Sequence, residues 1–334
     1  MRSFDKVDKV FIKSNNNTTK IFNRYLLCLI PFLLFVLIYN LIWGSSDVAI
    51  NLLVNTGISI VVSLAVSLVM YFVNHDDNFI ARVFKDNILT IAIVIGLCSL
   101  HSPIWIVCIA AFVSVLMRYI IKNITISASL YGILIMLIYA YITNDLNTPL
   151  NNWKNLMYVG SYDEVFKSYG NVLSYMLGFK YYLSPILAIL SFIYLFVKRS
   201  IKYNIVWSYV ITFISIMLLV GLFNGMGTWY LLFHICTGNI LFLVVFGLSD
   251  YPNTPITFEG QILYGVILGY IASILRFIVP DIAVVLTLIL GPILLNKVIN
   301  NWSIKLRSKK IFGVFVTSSV IVVILSVVAI SILI

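Results

Sequence analysis

Few side chains in this sequence could do chemistry, and the densest group of them lies between two long apolar stretches. Residues 249–255 read Ser-Asp-Tyr-Pro-Asn-Thr-Pro. A turn of this kind at membrane depth presents carboxylate, hydroxyl and backbone groups to a ligand, because irregular backbone survives there only where protein or a cavity covers it. Asp250 and Thr254 are therefore candidate ligand-binding residues. An ordinary surface turn is the alternative interpretation.

Two asparagines begin similar stretches in the two halves of the chain. Asn87 and Asn239 each precede Ile-Leu, and each stretch continues through a Gly-Leu pair and a proline-containing break to a helix ending in arginine. Inverted repeats with interrupted helices at matching positions surround a central binding site in many transporters. We therefore predict that Asn87 and Asn239 line one central site together with Asp250 and Thr254.

Motifs for metal binding or nucleophilic catalysis are missing from the sequence. There is no HExxH, CxxC, phosphate-binding loop or GxSxG pattern, and the three histidines are far apart. The cysteines lie inside apolar segments, where they act as small packing residues. We predict neither a metal site nor a catalytic side chain.

The composition identifies the kind of protein that must position these residues. Of its 334 residues, 61% are apolar and 10% are charged, whereas soluble domains have about 45–50% apolar and about 25% charged residues. This excludes a soluble enzyme, a disordered chain and a small disulfide-rich secreted domain. The sequence predicts an all-α polytopic membrane protein.

Eleven apolar segments have roughly the length that a bilayer requires of a helix. The third is too short to cross comfortably, which indicates a broken or half-depth helix. We predict ten to eleven transmembrane helices, with the first ten arranged as two inverted five-helix pseudo-repeats. The segments are 21–43, 48–73, 87–100, 103–121, 124–142, 181–197, 203–223, 227–248, 260–279, 280–297 and 311–334.

The basic residues predict the orientation of these helices. With the N-terminus inside, 18 of the 22 lysines and arginines fall on the inner side, as the positive-inside rule requires. The net charge of +10 therefore reflects topology, and a nucleic-acid partner is not expected. The four basic residues placed outside are Lys154, Lys167, Lys180 and Arg276.

One long polar stretch divides the chain into its two halves. We predict a basic cytoplasmic N-terminus (1–20), a first five-span half (21–142), an extracytoplasmic loop (143–180) and a second five-span half (181–298). Residues 299–334 then form a basic loop and an extra helix.

The late segment around 250–276 resembles one membrane-protein family, RnfD and NqrB. In that family an Asp-Pro-Val-Thr-Ser-Pro-like turn precedes a Gly-Gln pair and a glycine-spaced helix that ends in arginine. The likeness extends more weakly over residues 20–298. The matching residues here are Asp250 to Pro255, Thr257, Gly260, Gln261, Gly265, Gly269 and Arg276, with His234 and Gly238 ahead of them.

This resemblance implies a function, a fold and a set of partners. It implies the D-type membrane component of an Rnf-type or Na⁺-pumping NADH:quinone-type complex in the bacterial cytoplasmic (inner) membrane, with a fold related to urea channels. The partners would be the other Rnf-type subunits and the lipid bilayer. Flavin-mediated electron transfer would be coupled to transport of Na⁺ or H⁺.

The same resemblance implies covalent FMN on a threonine of a Ser-Gly-Ala-Thr motif. The nearest match here is Asp145-Leu146-Asn147-Thr148, so leucine and asparagine replace the glycine and alanine. Thr148 is the candidate FMN attachment site, and a turn stiffened by Pro149 is the alternative. Without a covalent flavin the chain would be a non-covalent flavin subunit, a small-solute channel of the same fold, or a structural subunit.

Overall fold

The fold was obtained as a computed structural model, which describes most of the helical part of the chain. Most of the loop 143–180, Asp250 and most of 311–334 lie outside the described residues. The described residues are 18–42, 46–74, 83, 87–99, 102–121, 124–143, 183–223, 225, 228–236, 239–248, 254–278, 282–307, 313, 319–321 and 323–324.

Helices make up the described parts of the chain, which contain no strand. A short 3₁₀ turn, Ile126–Ala128, precedes α5, and π-helical turns follow α9 (Val244–Leu248) and α11 (Gly291–Leu295). The helices are α1 (Thr18–Ile42), α2 (Ser46–Asn74), α3 (Ile88–Cys98), α4 (Ile104–Ile120), α5 (Ser129–Thr143), α6 (Pro185–Val197), α7 (Tyr203–Phe223), α8 (Thr228–Cys236), α9 (Ile240–Leu243), α10 (Phe258–Ile278), α11 (Ile282–Leu290) and α12 (Asn296–Arg307).

Within the described residues, six apolar helical segments are long enough to cross a membrane, counting Ile126–Thr143 and Ile282–Ser303 as continuous segments. Tyr230–Cys236 and Ile240–Leu248, which are bent by 52°, form either one further broken span or a re-entrant loop. The prediction of an all-α multi-pass membrane protein is confirmed. Helices α3, α4 and α6 are apolar but shorter, and α3 has only 11 residues, as the short third apolar segment predicted. A broken or half-depth helix at this place stays a prediction. The total of ten to eleven spans stays a prediction.

The long helices pack through small residues. In α10, Gly265 and Gly269 face α7, where a β-carbon on Gly265 would lie 2.6 Å from the Ile205 carbonyl oxygen. A β-carbon on Gly269 would lie 2.7 Å from the Tyr209 carbonyl oxygen. Close approach of backbones through glycines four residues apart is a common way to join membrane helices.

The two halves of the chain contact each other through α1. Arg24 Nη1 donates to the carbonyl oxygen of Lys198 (2.8 Å) and to Ser200 Oγ (2.9 Å). Further along α1, the Phe32 ring packs edge-on against Phe242, with the ring centroids 5.1 Å apart. The first helix of the chain is therefore part of the packing of the second half. The inverted repeat of the two halves stays a prediction, and so do the domain limits given above.

Candidate functional site

The two predicted asparagines adopt the same unusual backbone conformation. Asn87 has φ 61° and ψ 31°, and Asn239 has φ 54° and ψ 24°. This left-handed region is uncommon for residues other than glycine, and asparagine is among those enriched in it. Each asparagine is the residue immediately before its helix, α3 or α9, and neither side chain accepts a capping hydrogen bond from that helix. The two helix starts are thus built alike, which supports the proposed correspondence between the halves.

Their side chains have different partners. The Asn239 Oδ1 accepts a 2.7 Å hydrogen bond from the backbone N–H of Leu183, just before α6. Asn87 is 3% exposed, and its Oδ1 accepts from the Thr90 hydroxyl within the first turn of α3. The Asn87 Nδ2 has no hydrogen-bond partner within the described part of the chain. No hydrogen bond joins the two asparagines there.

Thr254 lies in a turn that is held from two sides. Lys202 Nζ donates to the carbonyl oxygens of Thr254 (3.1 Å) and Pro255 (3.3 Å). Gln261 Nε2 donates to the same Pro255 oxygen (3.2 Å), and Asn204 Nδ2 donates to Gln261 Oε1 (3.0 Å). Thr254 is 3% exposed. The start of α7 therefore fixes the turn before α10.

The matching break between α3 and α4 is held in a similar way. Asn55 of α2 donates through Nδ2 to the carbonyl oxygens of Ser99 (2.8 Å) and Ser102 (3.2 Å). In each half, a polar side chain on or just before a long helix therefore supplies hydrogen-bond donors to carbonyl groups at the break.

We predict that Lys202→Met loosens the turn before α10. The substitution keeps the aliphatic chain and removes the charged donor, so two carbonyls lose a charge-assisted hydrogen bond, at a cost of about 1.5–3 kcal/mol. Thermal unfolding of the detergent-solubilised protein measures the change. The matched control is Lys198→Met, because the Lys198 side chain is exposed. Equal melting temperatures for the two variants would contradict the assigned role of Lys202.

Arg276, which the charge pattern assigned to the outer side, is buried inside the protein. Its side chain is 0% exposed, and Nε donates a 3.1 Å hydrogen bond to Nδ1 of His234. The His234 Nδ1 must therefore carry a lone pair. The Tyr230 ring packs edge-on against the His234 ring, with centroids 4.4 Å apart. Asp281 lies outside the described residues. The arrangement fixes a guanidinium inside the second half.

Sequence reasoning missed a polar row on α2. Asn55, Ser59, Ser63 and Ser67 are each at most 2% exposed and follow one another at intervals of four residues. Ser59 Oγ donates to the Ala92 carbonyl oxygen on α3 (2.8 Å). Side chains four residues apart share one face of a helix, so the spacing alone was a signal for this row.

Two of the predicted site residues lie outside the part of the chain that the structure describes. Thr148 and Asp250 are outside the described residues, so their places relative to Asn87, Asn239 and Thr254 stay predictions. Among the described residues, no group of three or more His, Cys, Asp or Glu side chains is arranged to hold a metal ion.

Comparison with known proteins identifies the family. The model of the NQR2, RnfD, RnfE family matches residues 6–301, a segment that includes both asparagines, the turn held by Lys202 and the buried Arg276. No individual curated protein matches the chain. Because the match covers most of the chain, this protein belongs to the NQR2, RnfD, RnfE family.

Proposed function

We propose that this protein is the D-type membrane component of an Rnf-like complex, in which flavin-mediated electron transfer is coupled to transport of Na⁺ or H⁺. The observation that carries the proposal is the family match over residues 6–301. The coarser assignment, a membrane subunit of an ion-translocating electron-transport complex, follows from that membership. The more detailed proposal adds that the protein lies in the bacterial inner membrane, that its N-terminus faces the cytoplasm, and that its partners are Rnf-type subunits.

The proposed flavin site is Thr148, which follows the end of α5 at Thr143. A threonine hydroxyl can carry the phosphodiester link to FMN, and bound FMN would supply the electron-transfer chemistry. The task of the chain would be to anchor that group beside the helix end. Leu146 and Asn147 add side chains next to the acceptor, where glycine would allow a closer approach of another backbone.

The covalent flavin is tested by fluorescence of the denatured protein. The protein is expressed with its native flavin transferase, run in SDS gel and viewed under ultraviolet light. We expect a fluorescent band that disappears completely in Thr148→Ala, because the phosphodiester needs the hydroxyl. The matched control, Thr143→Ala, should keep the band. A band that persists in Thr148→Ala would place the flavin elsewhere, and a dark wild-type band would contradict covalent attachment.

The proposed route for the cation runs past the broken helices. Asn87, Asn239, Asp250 and Thr254 are the residues that we assign to it. Support comes from the shared left-handed starts of α3 and α9 and from the side chains that hold both breaks. In proteoliposomes containing the whole complex, electron transfer should drive uptake of Na⁺ or a change of internal pH. Electron transfer without either would contradict coupling.

A small-solute channel of the same fold is the second candidate. Leu146 and Asn147 favour it, because the flavin motif is incomplete, and so does the polar row on α2. A channel needs neither flavin nor partner subunits. Solute flux through proteoliposomes containing this protein alone would support the channel, and flux equal to that of empty liposomes would remove it.

A further inference from the structure

A cavity lies between the two halves of the chain, where α5 and the 3₁₀ turn before it contact α11. Its volume is about 190 Å³. Both of its walls include an interrupted helix, because Ser127 belongs to the 3₁₀ turn and Ile293 to the π turn after α11. The first half contributes Ile124, Ser127 and Tyr131 to the lining, and the second half contributes Leu288, Ile289 and Ile293.

The cavity has a buried floor and an exposed mouth. Ile124, Leu288 and Ile289 are each at most 8% exposed, whereas Ile293 is 59% exposed. Tyr131 is half-buried. The cavity therefore opens beside Ile293, on the outer surface of the bundle. Ile293 belongs to a segment long and apolar enough to cross a membrane, Ile282–Ser303, so this mouth faces lipid.

The lining favours a hydrocarbon over water. Apart from the hydroxyl groups of Ser127 and Tyr131, its side chains are aliphatic. A buried water needs two to four polar partners, whereas apolar cavities of about 150 Å³ in other proteins stay dry and take up small hydrocarbons. The hydrocarbon at the surface of a membrane protein is the acyl chain of a lipid. The volume admits only part of such a chain, so the rest must run outside the mouth.

Basic side chains from both halves follow the mouth at one end of the cavity. Arg118 lies in the last turn of α4, three residues before Ile121, which also lines the cavity. Lys297 is exposed and lies four residues after Ile293, and residues at this spacing share one side of a helix. An apolar cavity followed by positive charge has the order of a phospholipid, an acyl chain and then an anionic headgroup.

We propose that this cavity binds one acyl chain of an anionic phospholipid, whose headgroup lies beside Lys297 and Arg118. The Lys297 side chain extends its ammonium group from the apolar surface to the headgroup region, as long basic side chains do at membrane interfaces. The Tyr131 hydroxyl can donate to an ester carbonyl oxygen of the lipid. The lipid would join the first half to α11 of the second. This inference does not depend on the proposed function.

Titration of the detergent-solubilised protein with phosphatidylglycerol, followed by native mass spectrometry, tests the acyl-chain site. We expect saturable binding of one lipid molecule. Ile293→Trp puts a larger ring at the mouth and should weaken this binding at least tenfold. The matched control is Leu294→Trp, because Leu294 is also 59% exposed but is not part of the lining. Its affinity should stay within about twofold of wild type. Equal affinities in the two variants would overturn the site.

The headgroup is tested by an exposed substitution that leaves the packing of the bundle intact. Wild-type protein should bind phosphatidylglycerol more tightly than neutral phosphatidylcholine. Lys297→Gln should weaken phosphatidylglycerol binding about fivefold, which corresponds to one basic residue near an anionic lipid surface, and should leave phosphatidylcholine binding unchanged. Lys198→Gln is the control, since that side chain is also exposed. An unchanged affinity in Lys297→Gln would overturn the proposal, as would equal binding of the two lipids.

Photolabelling locates the bound chain without any substitution. A phosphatidylglycerol with a diazirine on one acyl chain is added at about one molecule per protein, irradiated, and the labelled peptides are identified. We expect label within 121–131 or 288–293, and an excess of unlabelled phosphatidylglycerol should remove it. Label found only on other helices would overturn the proposal.

Discussion

Replacing Gly265 with alanine is expected to destabilise the helix bundle by about 1–3 kcal/mol, the usual cost of inserting a methyl group into a packed interface. The new β-carbon would meet the Ser208 side chain and would lie 2.6 Å from the Ile205 carbonyl oxygen. The serine can rotate, but the carbonyl belongs to the backbone of α7. Helices α7 and α10 must therefore move apart, and the Gln261–Asn204 hydrogen bond near the same end would weaken.

Gly57→Ala provides the matched control for this prediction. Gly57 lies inside α2, and a β-carbon there would have no atom within 4 Å. Alanine is the better helix former by about 1 kcal/mol, so this variant should melt at or above the wild-type temperature. Size-exclusion chromatography after heating in detergent compares the two. An unchanged melting temperature in Gly265→Ala would contradict the close approach of α7 and α10.

Replacing His234 with leucine is expected to cost about 3 kcal/mol, because a buried guanidinium loses an acceptor and leucine offers no replacement. Arg276 is fully buried and its Nε donates to the His234 Nδ1 over 3.1 Å. Because Arg276 is 0% exposed, bulk solvent does not reach it to take over that hydrogen bond. We therefore expect low yield of folded protein and a lower melting temperature.

His234→Asn separates the loss of the hydrogen bond from the loss of the ring. The asparagine Oδ1 lies at about the same distance along the side chain as the imidazole Nδ1, so it can accept from Arg276 Nε. This variant should recover most of the stability lost in His234→Leu, although it also loses the ring contact with Tyr230. If the two variants melt at the same temperature, packing of the ring and not the hydrogen bond accounts for the effect.

Local pattern and physical chemistry were sufficient to predict an all-α membrane protein with several spanning helices. The apolar composition predicted a membrane helix bundle, and the short third apolar segment predicted the 11-residue α3. The matched Asn-Ile-Leu sequences led to two helix starts that the structure shows in the same left-handed conformation. In each case the signal lies within a few consecutive residues.

The partners of the buried polar groups could not be predicted, since they depend on which helices become neighbours. Arg276 looks like an interfacial residue near the end of an apolar segment, and only the packing of α8 against it brings His234 into reach. In the sequence, Lys202 was only one of the positive charges assigned to the inner side. In the structure its ammonium group donates to the Thr254 carbonyl oxygen, 52 residues further along the chain. The polar row on α2 could have been predicted from the four-residue spacing of its polar residues, because that spacing is visible without any tertiary contact.

The hydrogen bonds from Arg24 have a consequence for biosynthesis. Their acceptor at Lys198 lies 174 residues further along the chain, and ribosomes add about 5–20 residues per second. The first helix must therefore wait about 9–35 s after its own synthesis before this partner is made. During that interval α1 can remain in lipid, since large apolar side chains such as Leu27 and Ile30 face outward. The contacts of α1 therefore cannot be completed until the beginning of the second half, through Ser200, has been synthesised.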